Sequence, residues 1–69
     1  MTKFIRSVDK NYIEVSGERK FETDKAILFF DGRIEVWIPK RYIEDTVKDG
    51  KNMITITIPE WLAEEKELI

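Results

Sequence analysis

The side chains of this sequence form no recognisable arrangement for covalent or acid–base chemistry. The 69 residues include no histidine and no cysteine, so neither a Ser-His nor a Cys-His nucleophile can be assembled, and the usual Cys and His metal frameworks are missing. The serines Ser7 and Ser16 have no base partner. Carboxylates fall in no acid/base or metal-loop spacing, and the glycines are isolated from one another. The sequence therefore predicts a protein that is not an enzyme, with no cofactor, no metal and no small-molecule substrate.

The residues best suited to recognition lie in one predicted β-hairpin, Lys25 to Pro39. Two β-rich runs flank the pair Asp31-Gly32, which suits a two-residue type I′ turn because both turn positions need a positive φ. That turn would place Phe29 opposite Ile34 and make an apolar core face. The other face would pair three further sets of residues, namely Phe30 with Arg33, Leu28 with Glu35, and Ala26 with Trp37.

The second face of this hairpin mixes apolar bulk with charge, although the outer side of a half-buried hairpin is normally polar. We therefore single out Leu28, Phe30, Arg33 and Trp37 as candidate binding residues. Two interpretations stay open: the face is covered by the helix or the N-terminal strand of its own chain, or it is an exposed platform for a partner. A three-residue loop would exchange the two faces of the hairpin.

Charge decides which partner such a platform suits. Aromatic side chains beside arginine stack single-stranded bases in small barrels, and the basic pairs Arg19-Lys20 and Lys40-Arg41 could contact phosphates. However, 12 basic and 14 acidic residues give a net charge of −2, so no bulk positive field holds a polyanion. A protein partner or a homo-oligomer is favoured, and single-stranded nucleic acid is the alternative.

The elements that must position these residues are mostly strands. Phe4 to Val8 and Tyr12 to Val15 look extended, Gly17 breaks or bulges the second run, and Arg19 to Glu22 continues it, so the path of residues 1–22 is left open between one bent strand and two short ones. Met53 to Ile58 alternates like a half-buried strand. We expect a mainly β single domain spanning 1–69, a small antiparallel barrel or half-barrel, SH3-like or OB-like, of four or five strands with a short C-terminal helix.

The C-terminal segment PEWLAEEKELI, residues 59–69, predicts that helix. Pro59 suits the first helical position, and Glu60 favours the positive end of the helix dipole. Trp61, Leu62, Leu68 and Ile69 fall on one side at helical spacing, so we expect them to dock as core. A helix this short is not stable alone and must pack on the sheet.

Four pieces of the stretch from Thr23 onward form a pattern of their own. They are D-K-A-I-L at Asp24 to Leu28, D-G at Asp31-Gly32, W-I-P-K at Trp37 to Lys40, and I-P-E-W-L-A-x-E-K at Ile58 to Lys66. Together they resemble short proteins carried by bacteriophages and prophages. The resemblance implies a viral or mobile-element origin and an intracellular site of action, but no activity and no functional residue.

The sequence shows neither a membrane-spanning segment nor an export signal. No apolar run approaches the ~20 residues that a membrane span needs, and charges interrupt the first nine residues where a signal peptide would lie. The sequence thus predicts a cytoplasmic protein, in the host cytoplasm if it is viral, with no membrane partner. Its predicted function is a small protein-interaction module that binds a host or viral protein or itself; the alternative is an OB-type single-stranded nucleic-acid binder.

Overall fold

The computed structural model describes the backbone of residues 5–9 and 11–69, and side chains from Asn11 onward. Its elements, in chain order, are β1 Ile5–Asp9, β2 Tyr12–Glu22, β3 Ala26–Phe30, β4 Glu35–Pro39, a 3₁₀ turn Lys40–Tyr42, β5 Asp45–Lys48, β6 Met53–Pro59 and α1 Glu60–Glu65. Within these ranges, no helix has the length and apolar character needed to cross a membrane.

One antiparallel sheet is built around the long strand β2. The strand order is β4-β3-β2-β6-β5, and β1 pairs with β2 as well. β6 runs along one edge of β2 from Tyr12 to Glu18, while the other edge is shared, first by β1 and then by β3. A strand whose edge passes from one neighbour to another must bend, which curls the sheet into a small barrel-like fold. The expected fold class, mainly β with a short C-terminal helix, is confirmed.

Alternation along the strands places one continuous apolar set inside the curled sheet. In β6, Ile54, Ile56 and Ile58 are buried while Met53 is exposed, because successive side chains point to opposite faces. The buried core is otherwise contributed by β2, β3, β4 and the C-terminal segment, through Ile13, Val15, Ile27, Phe29, Ile38, Leu62, Ala63 and Leu68.

The hairpin between β3 and β4 has a four-residue loop, so the predicted two-residue turn is wrong. Phe29 pairs with Val36, and Phe30 pairs with Glu35. The loop is closed by Asp31, whose buried carboxylate accepts hydrogen bonds from the backbone N–H of Arg33 at 2.8 Å and of Ile34 at 2.9 Å. A backbone hydrogen bond of 3.1 Å from the Asp31 N–H to the Ile34 carbonyl closes the loop as well. An aspartate in a turn often bonds the backbone two or three residues on, and that bond favours a longer loop here. Because the register shifts by two residues, the predicted faces keep their identity.

The structure shows how the chain runs through residues 5–9 and 11–22, for which the sequence left one bent strand or two short strands open. The chain runs as a short β1 followed by one 11-residue strand, so Gly17 neither breaks nor bulges it. The irregularity lies between Arg19 and Phe21, where one extra residue shifts the pairing with β3. Residues 1–4, including Phe4 in the first predicted run, lie outside the described residues.

β5 is an edge strand that the sequence pattern does not predict. All four of its residues are exposed, so it carries no alternation between buried and exposed positions. Its pairing with β6 places Val47 opposite Thr55. This strand forms because β6 offers it a free edge.

The C-terminal helix is shorter than predicted. Pro59 is the last residue of β6 and lies outside the helix, with an extended backbone at φ −61° and ψ 143°. After Glu65 the chain turns back: the N–H of Leu68 donates to the carbonyl of Ala63, and Glu67 has a left-handed φ of 61°. This is a Schellman ending, and it buries Leu68 against the core.

Trp61 does not dock as core, contrary to the sequence-based expectation. The Trp61 side chain is 48% exposed and packs edge-on against Tyr42, with ring centroids 5.2 Å apart. Ile69 was also expected to dock as core, but it is 47% exposed. The residues that anchor α1 are Leu62 and Ala63, which the turn of the helix points inward.

Replacing Trp61 with alanine is therefore expected to lower the free energy of unfolding by only about 1–2 kcal/mol, less than the ~3–5 of a fully buried aromatic. Leu62→Ala should cost more, about 2–5 kcal/mol, because Leu62 is 2% exposed. Urea denaturation followed by circular dichroism measures both. A larger loss for Trp61→Ala than for Leu62→Ala would contradict this account of how the helix docks.

Candidate functional site

An apolar row crosses the outer face of the sheet on three adjacent strands. Phe21 of β2 lies opposite Leu28 of β3, and Leu28 lies opposite Trp37 of β4. Phe21 is 60% exposed and Trp37 is 43% exposed, so both rings are open to solvent. The two rings meet edge to face with centroids 6.3 Å apart. Phe21, Leu28, Trp37 and the neighbouring half-buried Phe30 are called the aromatic face below.

Phe21 owes its place on this face to the bulge in β2. Residues 13, 15 and 17 of β2 point inward and are buried, so uninterrupted alternation would send position 21 inward too. The extra residue between Arg19 and Phe21 reverses that direction. Sequence reasoning therefore missed Phe21. The only sequence signal near Phe21 is that its neighbours, Lys20 and Glu22, are both charged. That signal does not predict a bulge.

Within the aromatic face, Phe30 has an acidic neighbour on each side. Phe30 lies between Glu18 of β2 and Glu35 of β4. The ammonium of Lys20 sits 5.6 Å from the centre of the Phe30 ring, a cation–π distance, and also lies 3.7 Å from the carboxylate of Glu18. The one cation over the platform among the described residues is thus already balanced by an acid.

Arg33 is not part of this face, which corrects the pairing predicted for it. It lies in the hairpin loop, and its guanidinium donates a hydrogen bond of 2.7 Å to the backbone carbonyl of Glu67. There it ties the loop to the end of the C-terminal helix. Of the candidate binding residues, Leu28, Phe30 and Trp37 share one face and Arg33 lies elsewhere.

The described part of the chain leaves the aromatic face partly open. The helix α1 contacts β2 and β6 and inserts Leu62 and Ala63 into the core, so the alternative in which the helix covers the face is wrong. The alternative of cover by the N-terminal strand concerns side chains outside the described ones. The exposed fractions of Phe21 and Trp37 show that their rings remain accessible.

A second feature is a charged groove of about 400 Å³ on the inner side of the sheet. Ile27, Ile43 and Ile54 form part of its lining, together with Arg19, Glu22, Lys40, Thr46 and Lys48. The Glu22 carboxylate accepts a hydrogen bond from the Lys40 ammonium and another, at 3.1 Å, from the Arg19 guanidinium. The hydrogen bond and the charge of Lys40 lower the pKa of Glu22, with smaller contributions from Arg19 and Lys48.

Lys40→Ala should therefore raise the pKa of Glu22 toward its usual value, since the largest cause of the shift is removed. Because the folded pKa is depressed, the contribution of this pair to stability is present above the unfolded pKa and is lost as the pH falls through the folded one. Two-dimensional NMR titration of the Glu22 side chain measures the midpoint in both proteins. Equal midpoints would show that Lys40 does not hold the carboxylate. The effect on stability is expected to be small, since the pair is exposed.

The described residues offer little for other kinds of site. They contain no group of three or more acidic, His or Cys side chains that could hold a metal ion. A shallow groove of about 440 Å³ lies beside the helix, lined by Asn11, Tyr12, Pro59, Glu60, Trp61 and Glu64.

No family model, curated protein or solved structure matches this chain. The resemblance to short phage-borne proteins therefore stays a prediction, and the site must be interpreted from its own geometry.

Proposed function

We propose that this chain is a small, non-enzymatic protein-interaction module that binds through the aromatic face. The observation that carries the proposal is the row of Phe21, Leu28 and Trp37, whose two aromatic rings stay open to solvent on a six-stranded sheet. Small domains rarely leave such side chains together at the surface unless they meet a partner. Tryptophan is also the side chain that most often dominates the binding energy of protein interfaces.

Charge favours a protein over a nucleic acid as the partner. Glu18 and Glu35 flank Phe30 on either side, and Arg33, the cation expected beside the aromatic side chains of this face, is bonded to a backbone carbonyl elsewhere. A phosphate backbone approaching this face would meet two carboxylates before it met a free cation. The proposal extends to a phage or mobile-element origin and a cytoplasmic site of action, which the sequence pattern supports.

Site-specific photo-crosslinking tests the proposal. A benzophenone amino acid replaces Phe21 in one protein and Val47 in a control; both positions are exposed, on different parts of the outer face. After illumination in a bacterial lysate, position 21 should give a discrete protein adduct that position 47 does not. Adding Trp37→Ser should reduce the adduct about tenfold or more, as expected for loss of a dominant interface residue. Identical adducts from positions 21 and 47 would refute the proposal.

The nucleic-acid alternative is tested by fluorescence. In a Trp61→Phe variant, Trp37 reports alone, because the chain has two tryptophans. We expect no saturable quenching by a mixed single-stranded oligonucleotide at low salt. Quenching that rising salt reverses would instead assign the face to nucleic acid, since phosphate contacts weaken steeply with salt.

A further inference from the structure

The outer edge of β4 presents unpaired backbone groups. Among the described residues, β4 pairs only with β3. Backbone hydrogen bonds from Asp31 to Ile34 and from Lys40 to Lys25 mark the bonded pairs of this ladder, so the intervening bonded pairs are Phe29 with Val36 and Ile27 with Ile38. The N–H and C=O groups of the two alternate residues, Glu35 and Trp37, therefore point away from β3 toward the open edge.

The edge strands β4 and β5, at the two ends of the strand order, differ in a way that matters for pairing. β5, at the opposite edge, is four residues long, fully exposed, and carries Asp45 and Lys48. Charges on a short edge strand are how proteins discourage pairing with another strand. β4 carries a single charge, Glu35, beside Val36, Trp37 and Ile38. The edge with fewer charges is the one that carries Trp37 of the aromatic face, and Pro39 at its end limits the length of any pairing.

We propose that the free edge of β4 pairs antiparallel with β4 of a second copy of this chain, with Trp37 on the two-fold axis. The proposal rests on the proposed function and names the partner of the same face. At the axis, each Trp37 N–H donates to the Trp37 carbonyl of the other copy. The aromatic rows then join, so that Phe21, Leu28 and Trp37 of one copy continue into the same residues of its partner. Pro39, which has no N–H, ends the ladder at each side.

Charge complementarity selects the second copy as the occupant. With Trp37 on the axis, Glu35 of one copy lies opposite Pro39 of the other. Pro39 borders an open groove of about 440 Å³ whose remaining lining is Asp24, Lys25, Lys40 and Arg41, three cations and one acid. Lys40 is bonded to Glu22, and Arg41 packs on the Tyr42 ring. Lys25, the third cation of the groove, makes no ion pair with any described residue. Glu35 therefore meets Lys25 of the other copy, and the two-fold axis makes this contact twice.

This register also keeps like charges apart. The two Glu35 residues would be separated by four residue steps along the strands, about 13 Å at ~3.3 Å per residue. That exceeds the Debye length of ~8 Å at physiological salt, so their repulsion is screened. A register with Val36 on the axis would halve this separation and would move Glu35 away from Lys25.

A pair of charge reversals tests the arrangement. Glu35→Lys alone and Lys25→Glu alone each oppose like charges at both contacts, and should raise the dimer dissociation constant about tenfold or more. An equimolar mixture of the two variants restores an opposite-charge pair at each contact, so it should form heterodimers about as tightly as the unchanged protein dimerises. Sedimentation velocity over a concentration series measures all four samples. A misfolded variant could not be rescued by mixing, which separates loss of folding from loss of the contact.

Amide hydrogen exchange locates the interface. The Trp37 amide should become more protected as the protein concentration rises, because it gains an acceptor in the dimer. On β5 the amide of Thr46 also points to an open edge, and its exchange should not change with concentration. A protein that stays monomeric at every concentration overturns the proposal, as does a dimer in which Trp37 exchanges as fast as in the monomer. A mixture of the two variants that associates no better than either alone also overturns it.

The two proposals can fail separately. If the chain is monomeric but a benzophenone at position 21 still captures a different protein in a Trp37-dependent way, the interaction module stands and the self-pairing falls. If position 21 gives only the adducts that position 47 gives, while the variants show the charge-dependent dimer, the β4 edge is a subunit contact and the aromatic face has no other partner.

Discussion

Phe29→Ala is expected to lower the free energy of unfolding by about 3–5 kcal/mol. Phe29 is 0% exposed and is among the largest fully buried side chains of the described residues. It lies near the end of β3, between Arg19 of β2 and Val36 of β4, so its loss opens a cavity that both neighbouring strands line. A domain of this size is typically stable by only ~3–10 kcal/mol, so the variant should be largely or partly unfolded at room temperature.

Phe21→Ala is the matched control for this prediction, because it removes the same side chain from the outer face. With Phe21 60% exposed, its replacement should cost no more than about 1 kcal/mol, mainly through the lost edge-to-face contact with Trp37. Urea denaturation followed by tryptophan fluorescence compares the two variants. Equal losses would mean that Phe29 is not in the core or that the aromatic face is covered.

Gly17→Ala should cost about 2–4 kcal/mol, although it adds only one methyl group. An added Cβ at Gly17 would lie 2.5 Å from the Phe30 carbonyl oxygen and 2.6 Å from the Phe29 Cζ. The first of these atoms belongs to the backbone of β3, so it cannot move away as a flexible side chain could. Glycine is therefore required where β2 bends past β3, at the point where its edge passes from β1 to β3.

Gly50→Ala provides the control, since an added Cβ there meets nothing closer than 3.8 Å and Gly50 does not have a positive φ. It should be neutral or slightly stabilising, because alanine restricts the unfolded chain. A double-mutant cycle with Phe29→Leu adds a second check. Shortening Phe29 relieves the ring contact but not the carbonyl contact, so the pair should cost less than the sum of the singles. Strict additivity would show that the Phe29 ring does not press on Gly17.

The two predictions bear on the site as well as on stability. Gly17 and the bulge after Arg19 together set the path of β2, and that path places Phe21 across Leu28 from Trp37. A change that straightens β2 would therefore disperse the aromatic face even if the chain stayed folded. Any binding assay on core variants needs the exposure of Trp37 as an accompanying measurement.

In the hairpin of β3 and β4, the sequence pattern predicted the faces correctly but not the residue pairs. Alternation predicted that Leu28, Phe30 and Trp37 share a face, and they do, because a loop of four residues instead of two shifts the register without exchanging faces. The partner of each residue was nevertheless wrong. Asp31 closes the loop through its buried side chain, in the Asx-type bond that a turn aspartate often makes, whereas the prediction assumed a two-residue turn.

Arg33 and Trp61 show where local pattern ends. Arg33 was assigned to the aromatic face by counting from the turn, yet it reaches a carbonyl 34 positions along the chain. Trp61 was assigned to the core by helical spacing, yet Leu62 and Ala63 fill that space. In both cases the decisive contact comes from a residue distant in sequence, so periodicity within the segment carries no information about it.

Composition and alternation by themselves determined the broad character of this protein. The lack of His and Cys excludes Ser-His and Cys-His nucleophiles and the usual Cys and His metal sites. Runs of alternating apolar residues, separated by Asp-Gly and Pro, predict a mainly antiparallel fold with one short helix. The tertiary structure decided which apolar side chains are left at the surface, where the bulge falls, which edge of the sheet stays open, and that β5 exists at all. The reason is that alternation along a strand predicts only which side chains point to the same face of the sheet. Whether that face is buried or exposed depends on the elements that pack against it in the assembled fold.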